Sequence, residues 1–209
     1  MQRPVSGASG RGRLAFLREF LRNPHELGSI TPSSQHLAGA LLDQIDFRTA
    51  RRIVELGPGT GVFTHEALRR LSADGALLAL DTNQDFIELL RRDCVDPRLT
   101  VLPASAERVD QIVAERGWER VDAVISGIPY ALLPRRVTSG IVQASWRTLA
   151  PGGLFVGYQY SPYLRPFLRR IFGNCAFRLV PRNLPPAFIF VSQKRVPSNP
   201  GSPTHVDRR

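Results

Sequence analysis

Three glycines follow a short apolar run that contains a carboxylate, and this spacing is typical of a loop that approaches a small cofactor closely. The run 53–56 carries Glu55, and glycines at 57, 59 and 61 complete the pattern E-x-G-x-G-x-G. Dinucleotide-binding loops instead use G-x-G-x-x-G and hold a pyrophosphate at a helix N-terminus. S-adenosylmethionine has no pyrophosphate, and its amino-acid part and ribose need close backbone approach, which glycine permits, together with an acidic partner. The loop therefore predicts an S-adenosylmethionine site and methyl transfer.

A second acid stands at the distance that a ribose-binding carboxylate requires. The apolar run 77–80 ends at Asp81, which is 24 residues after Gly57. A β-α-β unit imposes a spacing of roughly 20 residues between such a loop and an acid that accepts the ribose hydroxyls. A tight turn with an N-cap aspartate is the structural alternative, but the joint pattern favours a cofactor site.

The segment Ser126 to Tyr130, with the sequence S-G-I-P-Y, follows the fourth predicted strand, and chemistry in open parallel sheets gathers at this end of the strands. Proline and glycine hold a backbone carbonyl rigidly beside the sulfonium, and Tyr130 is expected to place its ring and hydroxyl where an amine must sit. Tyr158 and Tyr160 are expected to orient the same nitrogen. An ordinary β-turn with a half-buried tyrosine is the structural alternative.

The segment 103–107, P-A-S-A-E, follows the third predicted strand, where the adenine should lie. Ser105 is expected either to hydrogen-bond the edge of the base or to cap the following helix, and the sequence leaves both interpretations open.

Apolar runs and polar periodic segments alternate along the chain, and this alternation predicts the elements that position the site. Strands are predicted near 51–56, 76–80, 98–102, 121–125 and 153–160, and helices near 60–72, 83–92, 105–115 and 134–149. Two later apolar runs, 176–181 and 187–191, are separated by only five residues, so they predict an antiparallel hairpin. A further helix begins after the Thr31 cap, with proline at its first position, and runs through Leu42. The predicted fold is α/β, a doubly wound, mostly parallel, seven-stranded, Rossmann-like sheet.

An amphipathic basic helix is predicted over residues 11–23, where leucines recur at i, i+3 and i+7. Such a helix either lies in a membrane interface or covers the core of its own domain, and the pattern fits both. We therefore predict three regions: a flexible segment with this helix (1–30), a methyltransferase domain (31–195) and a disordered tail (196–209).

Composition limits the class of protein. The 209 residues suffice for one domain, the two cysteines indicate a reducing cytosol, and the four histidines lack metal-ligand spacing, so no metal is expected. No apolar stretch reaches the ~18 residues of a membrane span, and no signal peptide is recognisable. The net charge is +10, and no acidic residue lies between Asp122 and Asp207. This half of the chain should attract polyanions, either nucleic-acid phosphates or an anionic membrane.

Five segments resemble the bacterial phospholipid N-methyltransferases, a class I S-adenosylmethionine-dependent family that methylates phosphatidylethanolamine towards phosphatidylcholine. They are F-L-R-N-P (20–24), I-T-P-S-S (30–34), V-E-L-G-P-G-T-G-V-F-T (54–64), S-G-I-P (126–129) and N-L-P-P-A (183–187). The resemblance covers residues 14 to 192. It departs at Asp81-Thr82, where the family more often has an E-x-D-P-like ending, and at Ser105, where aspartate is common.

This resemblance implies a set of contacts for each part of the site. For the cofactor they are Ser33, Ser34, Glu55, Gly57, Gly59, Thr60, Gly61, Asp81, Thr82, Ser105, Ala106, Glu107 and Ser126. For the lipid headgroup they are Ile128, Pro129, Arg165 and Arg169, with solvated helix arginines as the alternative for the last two. For the membrane they are Arg11, Leu14, Leu17, Arg18, Phe20, Leu21 and Arg22. The expected protein is a monomer without nucleic-acid partners, cytoplasmic and peripheral on the inner face of the bacterial plasma membrane.

Two other functions remain open. The ribosomal RNA adenine dimethyltransferases have a similar acceptor loop, the segment 126–130 in this chain, which in that family usually reads N-L-P-Y. This sequence has Ser126 in place of that asparagine. In addition, no helical RNA-binding domain is expected after the last strand. A membrane-associated protein that binds S-adenosylmethionine without catalysis is the second alternative, and the intact acceptor loop disfavours it.

Overall fold

The computed structural model describes residues 32–181, 183 and 186–196, with side chains from residue 35 onward. Six α-helices are present in this part of the chain: α1 (Pro32–Leu42), α2 (Val62–Arg70), α3 (Gln84–Asp93), α4 (Val109–Glu115), α5 (Arg135–Thr148) and α6 (Arg165–Phe172). The seven strands are β1 (Arg52–Leu56), β2 (Ala76–Asp81), β3 (Leu99–Pro103), β4 (Val121–Ser126), β5 (Leu149–Gln159), β6 (Ala176–Val180) and β7 (Ala187–Gln193). The predicted basic helix 11–23, the tail after residue 196 and the side chains of Ser33 and Ser34 lie outside the described residues.

The strands form one sheet in the order β3-β2-β1-β4-β5-β7-β6. The first five strands pair in parallel, and β7 pairs antiparallel with both β5 and β6. The predicted α/β sheet with an antiparallel C-terminal hairpin is therefore confirmed. Strands β2 and β3 lie on one side of β1, and β4 and β5 lie on the other. The strand order therefore reverses between β1 and β4, and a crevice opens between their carboxyl ends, which is where such sheets bind ligands.

The central strands are apolar on both faces because helices cover the sheet on both sides. In β1, Val54 and Leu56 belong to one buried cluster, which includes side chains from α4, α5 and α6. Ile53 belongs to a second buried cluster, on the side of α1 and α2. Burial on both sides explains why these strands appear in the sequence as continuous apolar runs rather than as alternating ones.

Two elements differ from the sequence prediction. Strand β5 begins at Leu149 rather than near 153, because Leu149 pairs with Val121 of β4 before a shift in register, and Lys194 then exchanges backbone hydrogen bonds with Gly152 and Gly153. Helix α6 was not among the predicted helices, and it has only eight residues, with a proline in its first turn. Among the described residues, no helix has both the length and the apolar character that crossing a membrane requires.

Candidate active site at the carboxyl ends of the strands

Three backbone hydrogen bonds link the ends of four neighbouring strands, β1 to β4, around the crevice between β1 and β4. Gly57 donates its N–H to Leu80 at the end of β2, and Gly127 donates to Leu56 at the end of β1. Ala104 donates to the carbonyl of Asp81. The segments that follow these strands therefore converge, as the sequence predicts. They are the glycine loop (57–61) after β1, Asp81 at the end of β2, the adenine loop (103–107) after β3 and the acceptor loop (126–130) after β4.

The glycine loop leaves open space at its tip. The φ angles of its three glycines are 70°, 54° and 84°, in the left-handed region that other residues rarely adopt. A Cβ atom added to Gly59 would meet nothing within 4 Å, whereas one added to Gly61 would lie 2.7 Å from Leu90. Thr60 is exposed beside this opening. The loop thus forms a cradle of backbone that fits a cofactor requiring close approach.

Asp81, the predicted ribose-binding acid at the end of β2, lies beside this cradle. Its Oδ2 atom lies 3.4 Å from the Gly59 amide, and its Oδ1 atom accepts a hydrogen bond of 2.9 Å from Asn83. The carboxylate is half-buried, and Thr82 next to it is exposed. An acid that borders the glycine loop and keeps part of its surface open fits the predicted ribose contact.

Glu55 is buried beneath the loop. Its Oε2 atom accepts a hydrogen bond of 2.6 Å from the hydroxyl of Thr64 in α2, and only 1% of the residue is exposed. Burial raises the pKa of the Glu55 carboxyl to about 7, although the Thr64 hydrogen bond opposes this rise. The sequence analysis missed Thr64, because its partner lies nine residues away and only the turn between β1 and α2 brings the two together.

The adenine loop (103–107) places Ser105 at the start of a short 3-10 turn, Ala106–Arg108, which leads into α4. The Ser105 hydroxyl accepts a hydrogen bond of 3.3 Å from the Glu107 amide, which is the capping geometry that the sequence left open as an alternative. Ala106 is buried, and Glu107 is exposed with its carboxylate against Gly140 of α5. Contact of these three residues with an adenine remains a prediction.

The acceptor loop is closed by two buried hydroxyl groups. Ser126 and Tyr130 are both fully buried, and their hydroxyl oxygens lie 2.9 Å apart. Tyr130 packs within the cluster between the sheet and α4, α5 and α6. From this position Tyr130 supports the loop from behind. The predicted contact between its hydroxyl and an amine requires a movement of the loop and remains a prediction.

Aromatic rings stand beside the acceptor loop at the end of β5. Tyr158 stacks on Phe63 of α2 at a centroid distance of 5.1 Å, and the ring of Tyr160 meets it edge-on at 6.0 Å. A Cβ atom on Gly127 would lie 3.8 Å from Tyr158 and only 2.6 Å from the Gly57 carbonyl, so the acceptor loop passes very close to both. Burial raises the pKa of the Tyr158 hydroxyl, which is therefore neutral at physiological pH. Tyr160 hydrogen-bonds the side chain of Asn183.

Gln159, between these two tyrosines, is a residue that the sequence analysis missed. Its Nε2 atom donates a hydrogen bond of 2.7 Å to the carbonyl of Ile128 and a second one to the carbonyl of Tyr158. Only 6% of Gln159 is exposed. The available signal was a polar side chain inside an otherwise apolar and aromatic strand end.

The two predicted headgroup arginines lie on α6, which starts near the acceptor loop. The turn Pro162–Leu164, which leads into α6, packs against the turn Tyr130–Leu132. The Arg165 guanidinium lies 4.5 Å from the ring centroid of Phe177 in β6, and Arg169 is exposed one turn further along α6. Pro129 and Ile128 are half-buried in the acceptor loop. Among the described residues, no group of three or more histidines, cysteines or carboxylates could hold a metal ion.

Comparisons with known proteins show that this chain is similar to methyltransferases. A family model described as a methyltransferase domain matches residues 53–153. The ornithine lipid N-methyltransferase of Singulisphaera acidiphila is 33% identical over 174 residues, which cover 82% of this chain and 91% of that protein. Ribosomal RNA small subunit methyltransferase A of Mycoplasma mycoides is 26% identical over 100 residues, which cover 47% of this chain and 36% of that protein.

Solved structures show the same fold. The Thermus thermophilus 16S rRNA N2 G1207 methyltransferase RsmC, solved with AdoMet and guanosine, has a TM-score of 0.57 at 21% identity. The match covers 82% of this chain and 45% of RsmC, so the chain spans less than half the length of either RNA-modifying protein. The predicted cofactor, S-adenosylmethionine, is confirmed. Because a third of the matched residues are identical along nearly the whole relative, this chain belongs to the S-adenosylmethionine-dependent methyltransferase family that includes the ornithine lipid N-methyltransferase of S. acidiphila.

Proposed function

We propose that this protein methylates the amine of the phosphatidylethanolamine headgroup at a membrane surface, adding methyl groups successively towards phosphatidylcholine. The observation that carries the proposal is the match to a lipid N-methyltransferase over 82% of the chain, which includes the acceptor loop and the strand end beside it. The arrangement of cofactor cradle, acceptor loop and aromatic strand end supports transfer to an amine.

The cofactor would be held by the glycine cradle and by acids around it. Gly59 offers backbone without a side chain, Asp81 offers a half-buried carboxylate to the ribose, and Ser105 borders the predicted adenine position. When bound, S-adenosylmethionine supplies an electrophilic methyl group on its sulfonium. The protein's own task is to keep an amine next to that group and to exclude water.

The tyrosines at the end of β5 suit an amine that gains methyl groups. Each methylation removes an N–H donor, and a fixed hydrogen bond would be lost, whereas a cation near an aromatic face keeps its attraction. Tyr158 and Tyr160 present two rings at right angles beside the acceptor loop. They are therefore the residues that we propose to surround the ammonium.

The substrate amine must lose a proton before it can attack, because an alkyl ammonium is mostly protonated at neutral pH. The sequence has no aspartate or glutamate between Asp122 and Asp207 and no histidine between His65 and His205. The acceptor loop and the end of β5 thus carry no strong base. We propose that water or the lipid's own phosphate accepts the proton, while the tyrosines orient the nitrogen.

The cationic half of the chain would hold the anionic parts of the substrate and its surroundings. Arg165 and Arg169 on α6 are proposed to contact the headgroup phosphate, and the basic segment 11–23 is proposed to bind the anionic membrane. On this proposal the protein acts as a peripheral monomer on the inner face of the bacterial plasma membrane.

The test is a methyl-transfer assay with the purified full chain and labelled S-adenosylmethionine. Vesicles that contain phosphatidylethanolamine, vesicles that contain ornithine lipid, and immature ribosomal RNA are offered in parallel. We expect label in the phosphatidylethanolamine headgroup. Label in ornithine lipid alone would keep lipid N-methylation and replace the substrate, and label in RNA alone would overturn the proposal.

Methylation of ribosomal RNA adenine at N6 is the second candidate. It is supported by the S-G-I-P-Y loop and by the similarity over 100 residues to ribosomal RNA small subunit methyltransferase A. The shorter and weaker match makes it the less favoured candidate.

A further inference from the structure

The carbonyl of Ile128 in the acceptor loop is held by two donors. The Tyr130 amide donates to it at 2.9 Å across a turn centred on Pro129, whose φ and ψ of −78° and 74° are those of an inverse γ-turn. The Gln159 side chain donates to the same oxygen at 2.7 Å. A carbonyl oxygen has two lone pairs, so both are engaged.

Gln159 reaches this carbonyl because β5 continues beyond the end of β4. Ser126, the last residue of β4, pairs with Gly157, so the two following residues of β5 run alongside the acceptor loop. Gln159 pairs with Phe188 of β7 on its other side, which fixes its backbone within the sheet. The side chain therefore projects from a rigid strand onto a short loop.

A buried amide at this place costs free energy unless its hydrogen bonds are made. Gln159 is 6% exposed, and its amide nitrogen donates to two backbone carbonyls, those of Ile128 and Tyr158. A leucine or methionine would fill the same volume without that cost. The described hydrogen bonds of the Gln159 amide instead go to the acceptor loop and to the strand end that carries Tyr158 and Tyr160.

We infer that Gln159 is a positioning residue for methyl transfer, which acts by fixing the Ile128 carbonyl and thereby the orientation of the acceptor loop towards the amine. This inference rests on the proposed function. The Gln159 amide ties together the loop that receives the amine and the strand that carries Tyr158 and Tyr160, so both sides of the amine's position depend on one side chain. Loss of the tie should lower the rate of transfer and leave binding of the cofactor unchanged.

The first test replaces the amide by an apolar side chain of similar length, Gln159→Met. We expect kcat for the lipid substrate to fall about 10- to 100-fold, as misplacement of reacting groups by roughly 1 Å does. The Kd for S-adenosylhomocysteine and the KM for the lipid should stay within about twofold of wild type. A wild-type kcat, or an equal loss of cofactor binding, would overturn the inference.

The second test uses Gln159→Glu and a pH profile. A protonated carboxyl can still donate to the Ile128 carbonyl, but a carboxylate repels it, so the activity of this variant relative to wild type should fall as pH rises from about 4, near the ordinary pKa of glutamate, to about 9. A profile parallel to that of wild type would contradict the inference. This variant also decides the matter if Gln159→Met does not fold.

Gln193 provides a matched control on the same pair of strands. Its Nε2 atom donates to the carbonyl of Gly152 at 2.9 Å, at the opposite end of the sheet from the site. Gln193→Met and Gln193→Glu should keep the wild-type rate and pH profile, and an equal loss in them would overturn the inference. If wild type binds S-adenosylhomocysteine but methylates no lipid, the proposed function fails. If wild type methylates lipid and the Gln159 variants do so equally well, only the role of Gln159 fails.

Discussion

The hydroxyl groups of Ser126 and Tyr130 lie 2.9 Å apart inside the protein, at the two ends of the acceptor loop. Each is fully buried. Ser126 at the end of β4 and Tyr130 four residues later therefore form one hydrogen-bonded unit. Their pairing fixes the ends of the loop, while Gln159 fixes its middle.

Removal of the Tyr130 hydroxyl should destabilise the protein, because the buried Ser126 hydroxyl loses its hydrogen-bond partner. Tyr130→Phe leaves the Ser126 hydroxyl buried without this partner, so we expect the free energy of unfolding to fall by about 1–2 kcal/mol. Ser126→Ala should cost a similar amount, and the double variant should cost no more than either single one, because it leaves no unpaired group. Urea denaturation measures all three, and additive costs would contradict the pairing.

Rates of methyl transfer distinguish two roles of Tyr130, support of the acceptor loop by its ring and direct contact of its hydroxyl with the amine. Tyr130→Ala removes the ring that packs behind the loop and should lower kcat more than Tyr130→Phe, which keeps the ring. Initial rates with labelled S-adenosylmethionine and lipid vesicles provide the comparison. Unchanged rates in both variants would remove Tyr130 from the mechanism.

Glu55 should make stability depend on pH. Its pKa of about 7 in the folded protein lies above the ordinary value of 4.5, so between these two pH values the folded state binds more protons than the unfolded state. Stability from this group is fully present below pH 4.5 and is lost as pH rises through 7, by about 3 kcal/mol in total. Glu55→Gln should remove this part of the pH dependence. The free energy of unfolding, measured by denaturation at pH values from 4 to 8, tests this prediction. Glu119→Gln, at an exposed position, is the control and should keep the pH dependence of wild type.

Asp81→Asn should weaken cofactor binding while the fold is kept. The amide oxygen can still accept from Asn83, but the substitution removes the negative charge that we expect to hold the ribose hydroxyls, and hydrogen bonds to charged groups are worth about 1.5–3 kcal/mol. We expect the Kd for S-adenosylhomocysteine to rise at least about tenfold, measured by titration calorimetry. Asp74→Asn removes an exposed acid in a turn and should leave the Kd unchanged. Equal Kd values for Asp81→Asn and wild type would exclude the ribose contact.

Arg169→Gln should affect the lipid substrate rather than the cofactor. A basic side chain near an anionic membrane contributes about 1 kcal/mol, so the lipid concentration at half-maximal rate should rise about fivefold, and less at high salt. Arg92→Gln, on α3, removes a comparably exposed arginine and is the control. An effect of equal size in both variants would indicate general charge attraction rather than a contact of Arg169.

The sequence predicted those parts of the fold and site that depend on local pattern. The glycine loop, Asp81 and the five parallel strands follow from apolar runs and their spacing, and the short link 182–186 was enough to predict the hairpin of β6 and β7. Helix α6 is amphipathic, but it has only eight residues and follows a proline turn, so its pattern extends over little more than two helical turns.

The missed site residues all depend on contacts through space. Thr64 meets Glu55 because of the turn between β1 and α2, and Gln159 meets Ile128 because of the register between β4 and β5. No spacing along one strand or helix encodes these contacts. Ser126 and Tyr130 were both predicted site residues, but their pairing depends on the turn at Pro129 and was visible only in the structure.

One competition experiment tests the central claim most directly. The full chain and labelled S-adenosylmethionine are incubated with immature ribosomal RNA and with vesicles that contain phosphatidylethanolamine and ornithine lipid together, and the products are separated and identified by mass spectrometry. The proposed function predicts that most label enters phosphatidylethanolamine and appears as methyl groups on its headgroup nitrogen. Label confined to ribosomal RNA, with both lipids unmodified, would contradict it.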